Sequence, residues 1–237
     1  MIFGIEICED LWMPCAPHEH QALAGAALLF NLSASNEVLG KADWRRTMVS
    51  SESGRCQAAF CYVSSGIGES SNDMVFGGHA IITENGGVIA ESDRLIKDST
   101  LIIADTDLDR LAFERSGTTS FRDHADCCHA YRIIDTEVKD VNADSIARNL
   151  DPHPFVPSKP EETEIRCREI FSMQVGALSQ KLEGAGLQKL VIGISGGLDS
   201  TLALLVASRT MDYPVSYTHL RAHETVLDLV CRLLLEK

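Results

Sequence analysis

The chain has no pair of cysteines at C-x-x-C spacing, no apolar run approaching a membrane span and no basic stretch leading into a signal-like core. Internal repeats and low-complexity tracts are also absent. These absences argue against a spanning segment, a secreted disulfide scaffold and a solenoid. The thiols Cys8, Cys15, Cys56, Cys61, Cys127, Cys128, Cys167 and Cys231 are read as free thiols, and a cytoplasmic location is expected. Adjacent Cys127 and Cys128 lie with His124 and His129, but neighbouring cysteines chelate poorly in tetrahedral sites. That segment reads as a surface loop, and no zinc site is expected.

Basic residues are scarce, 21 against 34 acidic ones, for a net charge of −13. Such a balance repels phosphate backbones, so nucleic acid and anionic membrane are not expected as partners. Any anion must be held locally, by backbone amides. Proline is scarce too, and four of the seven residues, Pro152, Pro154, Pro157 and Pro160, sit together in NLDPHPFVPSKPE. That clustering predicts a linker between two domains, which 237 residues with 45% apolar content can support.

Before the linker, short apolar runs predict strands at Phe3–Ile7, Ala27–Leu32 and Tyr62–Ser65, with helices near 18–25 and 44–59 between them. Strands at His79–Thr83 and Val88–Glu91 flank Asn85-Gly86, a type I′ hairpin signal, and Leu101–Asp105 reads as one more strand. The first domain is therefore expected to be α/β with an antiparallel portion. Trp12 and Trp44 read as core residues, and Arg45-Arg46 as part of a helix near a pocket or of a salt bridge. After the linker, Phe171, Val175, Leu178 and Leu182 recur at helical spacing on one face.

Two segments carry chemistry. Val191, Ile192 and Ile194 predict a buried strand, followed by the glycine-rich turn of VIGISGGLDS and a helix from about Thr201. Glycines without Cβ let the main chain approach an anion where a helix begins. No lysine follows the second glycine, so this is not the G-x-x-x-x-G-K-[ST] loop. It resembles the SGGxDS loop of the ATP pyrophosphatases. The second segment is FGIEICEDLW, where Cys8 follows a strand and precedes two acids. A thiol at such an elbow can attack an amide or nitrile carbon if a base and an oxyanion donor stand beside it. A lone cysteine after a strand is usually just a small buried apolar residue. Glu9 and Asp10 would shape the pocket but by themselves raise the thiol pKa.

Taken together, GIEICEDLW, NLSASNEVLGKADWRR, YVSSGIGESSNDMVFGGHAIITENGGVIAES and HPFVPS leading to GISGGLDS resemble the glutamine-dependent NAD+ synthetase family over about Phe3 to Thr210. The resemblance implies an α/β fold: a partial nitrilase-like α-β-β-α sandwich over 1–140, a linker over 141–162, and over 163–213 the start of a doubly wound parallel-sheet domain of the ATP pyrophosphatase type. It implies ATP-dependent amidation of deamido-NAD+ with ammonia released from glutamine. Cys8 falls at the family's nucleophile, and Ser35 and Lys41 fall where it contacts glutamine. Lys41 stands where some members carry arginine, which loses the planar two-pronged donor. Gly193, Ile194, Ser195, Gly196, Gly197, Leu198, Asp199 and Ser200 fall at the ATP loop, with Asp199 toward Mg2+. A homo-oligomer is implied for the intact family.

The family's glutamate base and oxyanion lysine lie upstream of the nucleophile, outside this chain. The expectation is that the chain starts within the glutaminase domain and by itself hydrolyses glutamine negligibly. Residues 214–237 do not resemble the family's continuation and are expected to be foreign sequence, with a short amphipathic helix through Leu227, Val230, Leu233 and Leu234 as the alternative. Two other functional readings stay open: a nitrilase-type hydrolase of small amides, and a non-catalytic nucleotide-binding fragment.

Overall fold

A computed structural model describes residues 1–70, 73–125, 130–137, 146–148, 150, 152–153, 155–157, 159–211 and, by backbone alone, 221–223. The Cys127-Cys128 pair and most of the 214–237 tail lie outside the described residues. The chain divides into two compact units, Met1–Leu150 and Asp151–Lys237.

In the first unit, β1 (Phe3–Ile7), β2 (Leu28–Ser33), β3 (Ala59–Ser64), β4 (Ala80–Glu84) and β5 (Gly87–Glu91) form one sheet in that order. β1, β2 and β3 are parallel, and β3, β4 and β5 antiparallel. Helices α1 (Pro17–Leu23) and α2 (Lys41–Arg55) make the crossovers. The hairpin between β4 and β5 turns on Asn85 and Gly86 with φ of 47° and 89°, the positive values a type I′ turn needs.

Strand alternation sets the core. Leu29, Phe60 and Ile81 point toward the helices and pack with Leu11, Ala22, Val49 and Cys56. The opposite face carries Ile7, Leu32 and Val63 in register, all partly exposed among the described residues. The described residues of the first unit thus form one sheet and the helical layer on it. Two expectations fail here. Leu101–Asp105 is not a strand: Leu101 and Ile103 are exposed, and no described strand pairs with them. Trp44 is an exposed residue of α2, whereas Trp12 packs against the core as expected. α3 (Leu108–Gly117) and α4 (Thr119–Asp123) follow, and Arg115 of α3 donates to the carbonyls of Ala26, Cys56 and Gln57.

In the second unit, α5 (Pro160–Ala185) begins with proline in its first turn and ends at Gly186, which takes the left-handed φ of 63°. Val175 is its buried residue, with Phe171, Leu178 and Leu182 half-buried on the same face, as the spacing predicts. β6 (Val191–Gly193) pairs in parallel with β7 (Arg221–His223), and α6 (Leu198–Met211) packs on α5. β6 is not the buried strand expected: Val191 is exposed, Ile192 half-buried, and the only described neighbour is β7.

Candidate active site

β1 ends at Ile7, and the chain reverses through Cys8, whose φ of +51° is a left-handed value costly for a residue with a Cβ. A short 3-10 turn, Cys8–Trp12, follows, closed by the Asp10 carboxylate accepting from the Ile7 amide at 2.9 Å. Asp10 therefore serves the turn rather than the pocket. The elbow places Cys8 in an open cleft of about 530 Å³ at the carboxyl ends of β1, β2 and β3, where ligands commonly bind in such sheets. Its apolar side is Ile7, Leu32 and Val63, and its polar side Ser33, Ser64 and Ser65. The Ser64 hydroxyl is buried with no protein hydrogen-bond partner, so it is available to a ligand.

The other described thiols are placed differently. Burial, with the nearby Glu52 and Glu19 charges, pushes Cys56 up to about 12, and burial pushes Cys61 up to about 11. Both are held as neutral thiols. Cys8 alone among the described cysteines lines the cleft.

Ser35 lies just past β2 and is buried. Lys41 opens α2, and its ammonium donates to the Asn36 carbonyl and side-chain oxygen, each at 3.0 Å, while lying 5.5 Å from the Trp12 ring centre. Neither residue is part of the cleft wall around Cys8. Arg45 and Arg46 lie on α2, and both form salt bridges. Arg46 binds Glu91 and Asp43 at the surface. Arg45 is fully buried, donating to Glu37 and to Nδ1 of His79 and stacking on Tyr62.

Beneath the elbow runs a buried polar chain that motif reading missed. Ser33 Oγ donates to Asn31 Oδ1 at 2.6 Å; Asn31 Nδ2 donates to Glu6 Oε1 at 2.9 Å and to the Cys8 carbonyl at 3.3 Å. Glu6 Oε2 meets His18 Nδ1 at 2.8 Å, and His18 Nε2 meets Glu52 Oε2 at 3.2 Å. Burial alone would lower the His18 pKa, but hydrogen bonds and charges from Glu52 and Glu6 outweigh it and raise it to about 9. The only sequence trace of this chain is that Glu6 and Asn31 sit at inward positions of apolar strands, where an acid or amide needs a partner.

In the second unit the glycine-rich loop leads directly into α6, which starts at Leu198 rather than near Thr201. The hydrogen bond from Thr201 N to Gly197 O already closes the first turn, so Asp199 and Ser200 ride on the helix. Gly196 has a φ of +83°, the conformation that favours glycine; Gly197 does not. Ser195 and Ser200 hydroxyls lie 3.3 Å apart, and Ser200 and Thr201 donate to the Gly197 carbonyl. Ser195, Gly196, Gly197, Leu198 and Asp199 are exposed. Gly193 and Ile194 lead in from β6 and shape the approach. An exposed glycine turn at the start of a 14-residue helix, with two hydroxyls side by side, is chemically fit for phosphate oxygens.

Comparison with known proteins covers both units. Residues 1–115 match the carbon-nitrogen hydrolase family and residues 170–226 the NAD synthase family. The chain is 40% identical over 216 residues to the glutamine-dependent NAD(+) synthetase of Mycobacterium tuberculosis, covering 89% of this chain and 32% of that protein. The Mycobacterium leprae and Thermotoga maritima proteins of the same name are 40% and 29% identical, with 32% and 34% of their lengths covered. Among solved structures, a glutamine-dependent NAD+ synthetase from Acinetobacter baumannii aligns with a TM-score of 0.41 at 20% identity, over 93% of this chain and 32% of that one. A carbon-nitrogen hydrolase from Helicobacter pylori aligns with a TM-score of 0.42 at 19% identity, over 51% and 45%. The chain spans about a third of the length of the sequence relatives it matches. A carbon-nitrogen hydrolase segment is thus followed by an NAD synthase segment, and the chain is similar through both to glutamine-dependent NAD+ synthetases.

Proposed function

We propose that these residues serve the ATP-dependent amidation of deamido-NAD+ to NAD+, with Cys8 releasing the ammonia from glutamine. The observation that carries this is the Cys8 elbow: a thiol at φ +51° over a cleft at the carboxyl ends of three parallel strands, in the segment that matches carbon-nitrogen hydrolases. In this reading the Cys8 sulfur attacks the side-chain amide carbon of glutamine. Ammonia leaves with the protons it needs, and water cleaves the thioester to glutamate and free thiol. The described cleft residues include no carboxylate and no ammonium. Proton transfer and charge stabilisation must therefore come from groups other than these, and the 237-residue chain alone is expected to hydrolyse glutamine negligibly. Ser35 and Lys41 are assigned to glutamine, although the Lys41 ammonium here binds Asn36 and lies over Trp12.

In the second unit, Ser195, Gly196, Gly197 and Ser200 are assigned to ATP phosphates, with Gly193, Ile194 and Leu198 framing them. Asp199 on the first turn of α6 would hold Mg2+ together with phosphate oxygens, a usual arrangement for that ion. ATP there supplies the adenylate that activates the carboxylate of deamido-NAD+. What this chain's own residues do is bind and orient the phosphates.

A chimera tests this. Residues 3–210 would replace the aligned segment of the Mycobacterium tuberculosis relative, and NAD+ formation would be followed from deamido-NAD+, ATP and amide-labelled glutamine. Labelled NAD+ is expected, with Cys8→Ala retaining only ammonium-supported synthesis. A folded chimera that hydrolyses small amides but makes no NAD+ from either nitrogen source would favour the amide-hydrolase reading instead.

A further inference from the structure

We propose that His18, Glu52 and Cys56 form a binding site for a zinc-class divalent cation that ties α1 to the end of α2. Glu52 and Cys56 are one helical turn apart, joined by the Cys56 N to Glu52 O bond, so their side chains share a face. His18 approaches that face from α1. One ligand atom from each residue, His18 nitrogen, Glu52 oxygen and Cys56 sulfur, lies within 4.8 Å of the other two. A mixed nitrogen, sulfur and oxygen set suits zinc and cobalt and is a poor site for magnesium or calcium.

The imidazole is already aimed. Glu6 Oε2 accepts from the His18 amide at 3.2 Å and holds Nδ1 at 2.8 Å, which turns Nε2 toward Glu52. A carboxylate behind a histidine is the usual outer support of a metal-bound imidazole. His18 and Cys56 are almost completely buried, at 1% and 5% exposure, so bulk water does not compete strongly for the cation. Arg55 binds Glu52, but its largely exposed guanidinium also binds Glu19 at 2.8 Å and can stay there while Glu52 turns to the metal. Binding exchanges the Cys56 thiol proton and the Nε2 proton for the cation. The fourth position falls to the second Glu52 oxygen or to solvent. His18 and Glu52 are 34 residues apart in sequence and meet only through the crossover, so no motif announces the site.

Cobalt titration of the 237-residue chain under reducing conditions tests it. One equivalent is expected to give a near-ultraviolet thiolate-to-cobalt band that zinc abolishes. Cys56→Ser should remove the band, and Glu6→Gln should weaken binding by about 10- to 100-fold. Cys8→Ser, Cys15→Ser and the pair Cys127→Ser with Cys128→Ser should leave it. Should Cys56→Ser fail to fold, Glu52→Gln, at the edge of the cluster, must still weaken binding at least about tenfold. No band at one equivalent, a band that survives Cys56→Ser, or one lost with Cys15→Ser, whose sulfur lies 3.3 Å from His20, would overturn the site.

Discussion

A positive φ at a residue with a Cβ costs about 1–2 kcal/mol, and the fold accepts that at Cys8. Replacement by glycine removes the strain, though a glycine also loses more chain entropy on folding. Cys8→Gly is therefore expected to leave stability unchanged or raise it by up to about 1 kcal/mol, and Cys8→Val to lose about 1–3 kcal/mol, read from urea midpoints. Arg45 is the opposite kind of residue, a fully buried charge bound to Glu37 and His79. Arg45→Ala strands those partners and should cost about 3–5 kcal/mol. His79 supplies a pH dependence. Burial lowers its pKa, the Arg45 and Arg94 charges add to that, and the Glu91 hydrogen bond offsets only part. Because Arg45 donates to Nδ1, the ring is neutral with its proton on Nε2, facing Glu91. The unfolded chain then binds a proton below about 6.5 that the fold resists, so this contribution is complete above pH 6.5 and fades as pH falls. The stability difference between wild type and His79→Gln should shrink from pH 7 to pH 5. A difference that grows on acidification would refute the assignment.

Elements were legible where a local rule forced them. β1 stands where FGIEI alternates, and the β4–β5 hairpin where Asn-Gly demands it. α5 shows the one face that its apolar spacing requires. Leu101–Asp105 has the composition of a strand, yet a strand exists only with a neighbour, and composition does not name one. The glycine-rich loop was readable as a motif, but not the extra helical turn that lifts Asp199 and Ser200 onto α6. The buried chain from Ser33 to Glu52 joins β2, β1, α1 and α2, and no local pattern encodes such a meeting. At the loop, conformation separates the glycines. Gly196→Ala is strained at φ +83° and should weaken ATP binding about tenfold or more, whereas Gly193→Ala meets no atom within 4 Å and should change it little. Calorimetric titration with ATP and Mg2+ distinguishes the two.

At the scale of the molecule, the first unit's sheet is covered by helices on one face, while Ile5, Ile7, Leu32 and Val63 remain 46–58% exposed on the other. Contiguous apolar surface of this kind recruits partners or drives self-association. The 237-residue chain is expected to bind a hydrophobic dye and to sediment as concentration-dependent assemblies. Substituting Ile5 and Val63 with threonine, which keeps strand propensity, should reduce both. Among the described strands β1 is also an edge, bonded to β2 alone, whereas β3 is bonded on both sides. Edge elements open by themselves at free energies well below that of global unfolding. The thiols therefore sit on a graded clock. Cys8 just past β1 should be alkylated at a rate nearly independent of denaturant, and Cys56, buried in the core, should follow the denaturant dependence of whole-unit unfolding. The thiol proposed as the nucleophile thus directly follows an edge strand, and chemical loss of Cys8 can precede any measurable loss of fold.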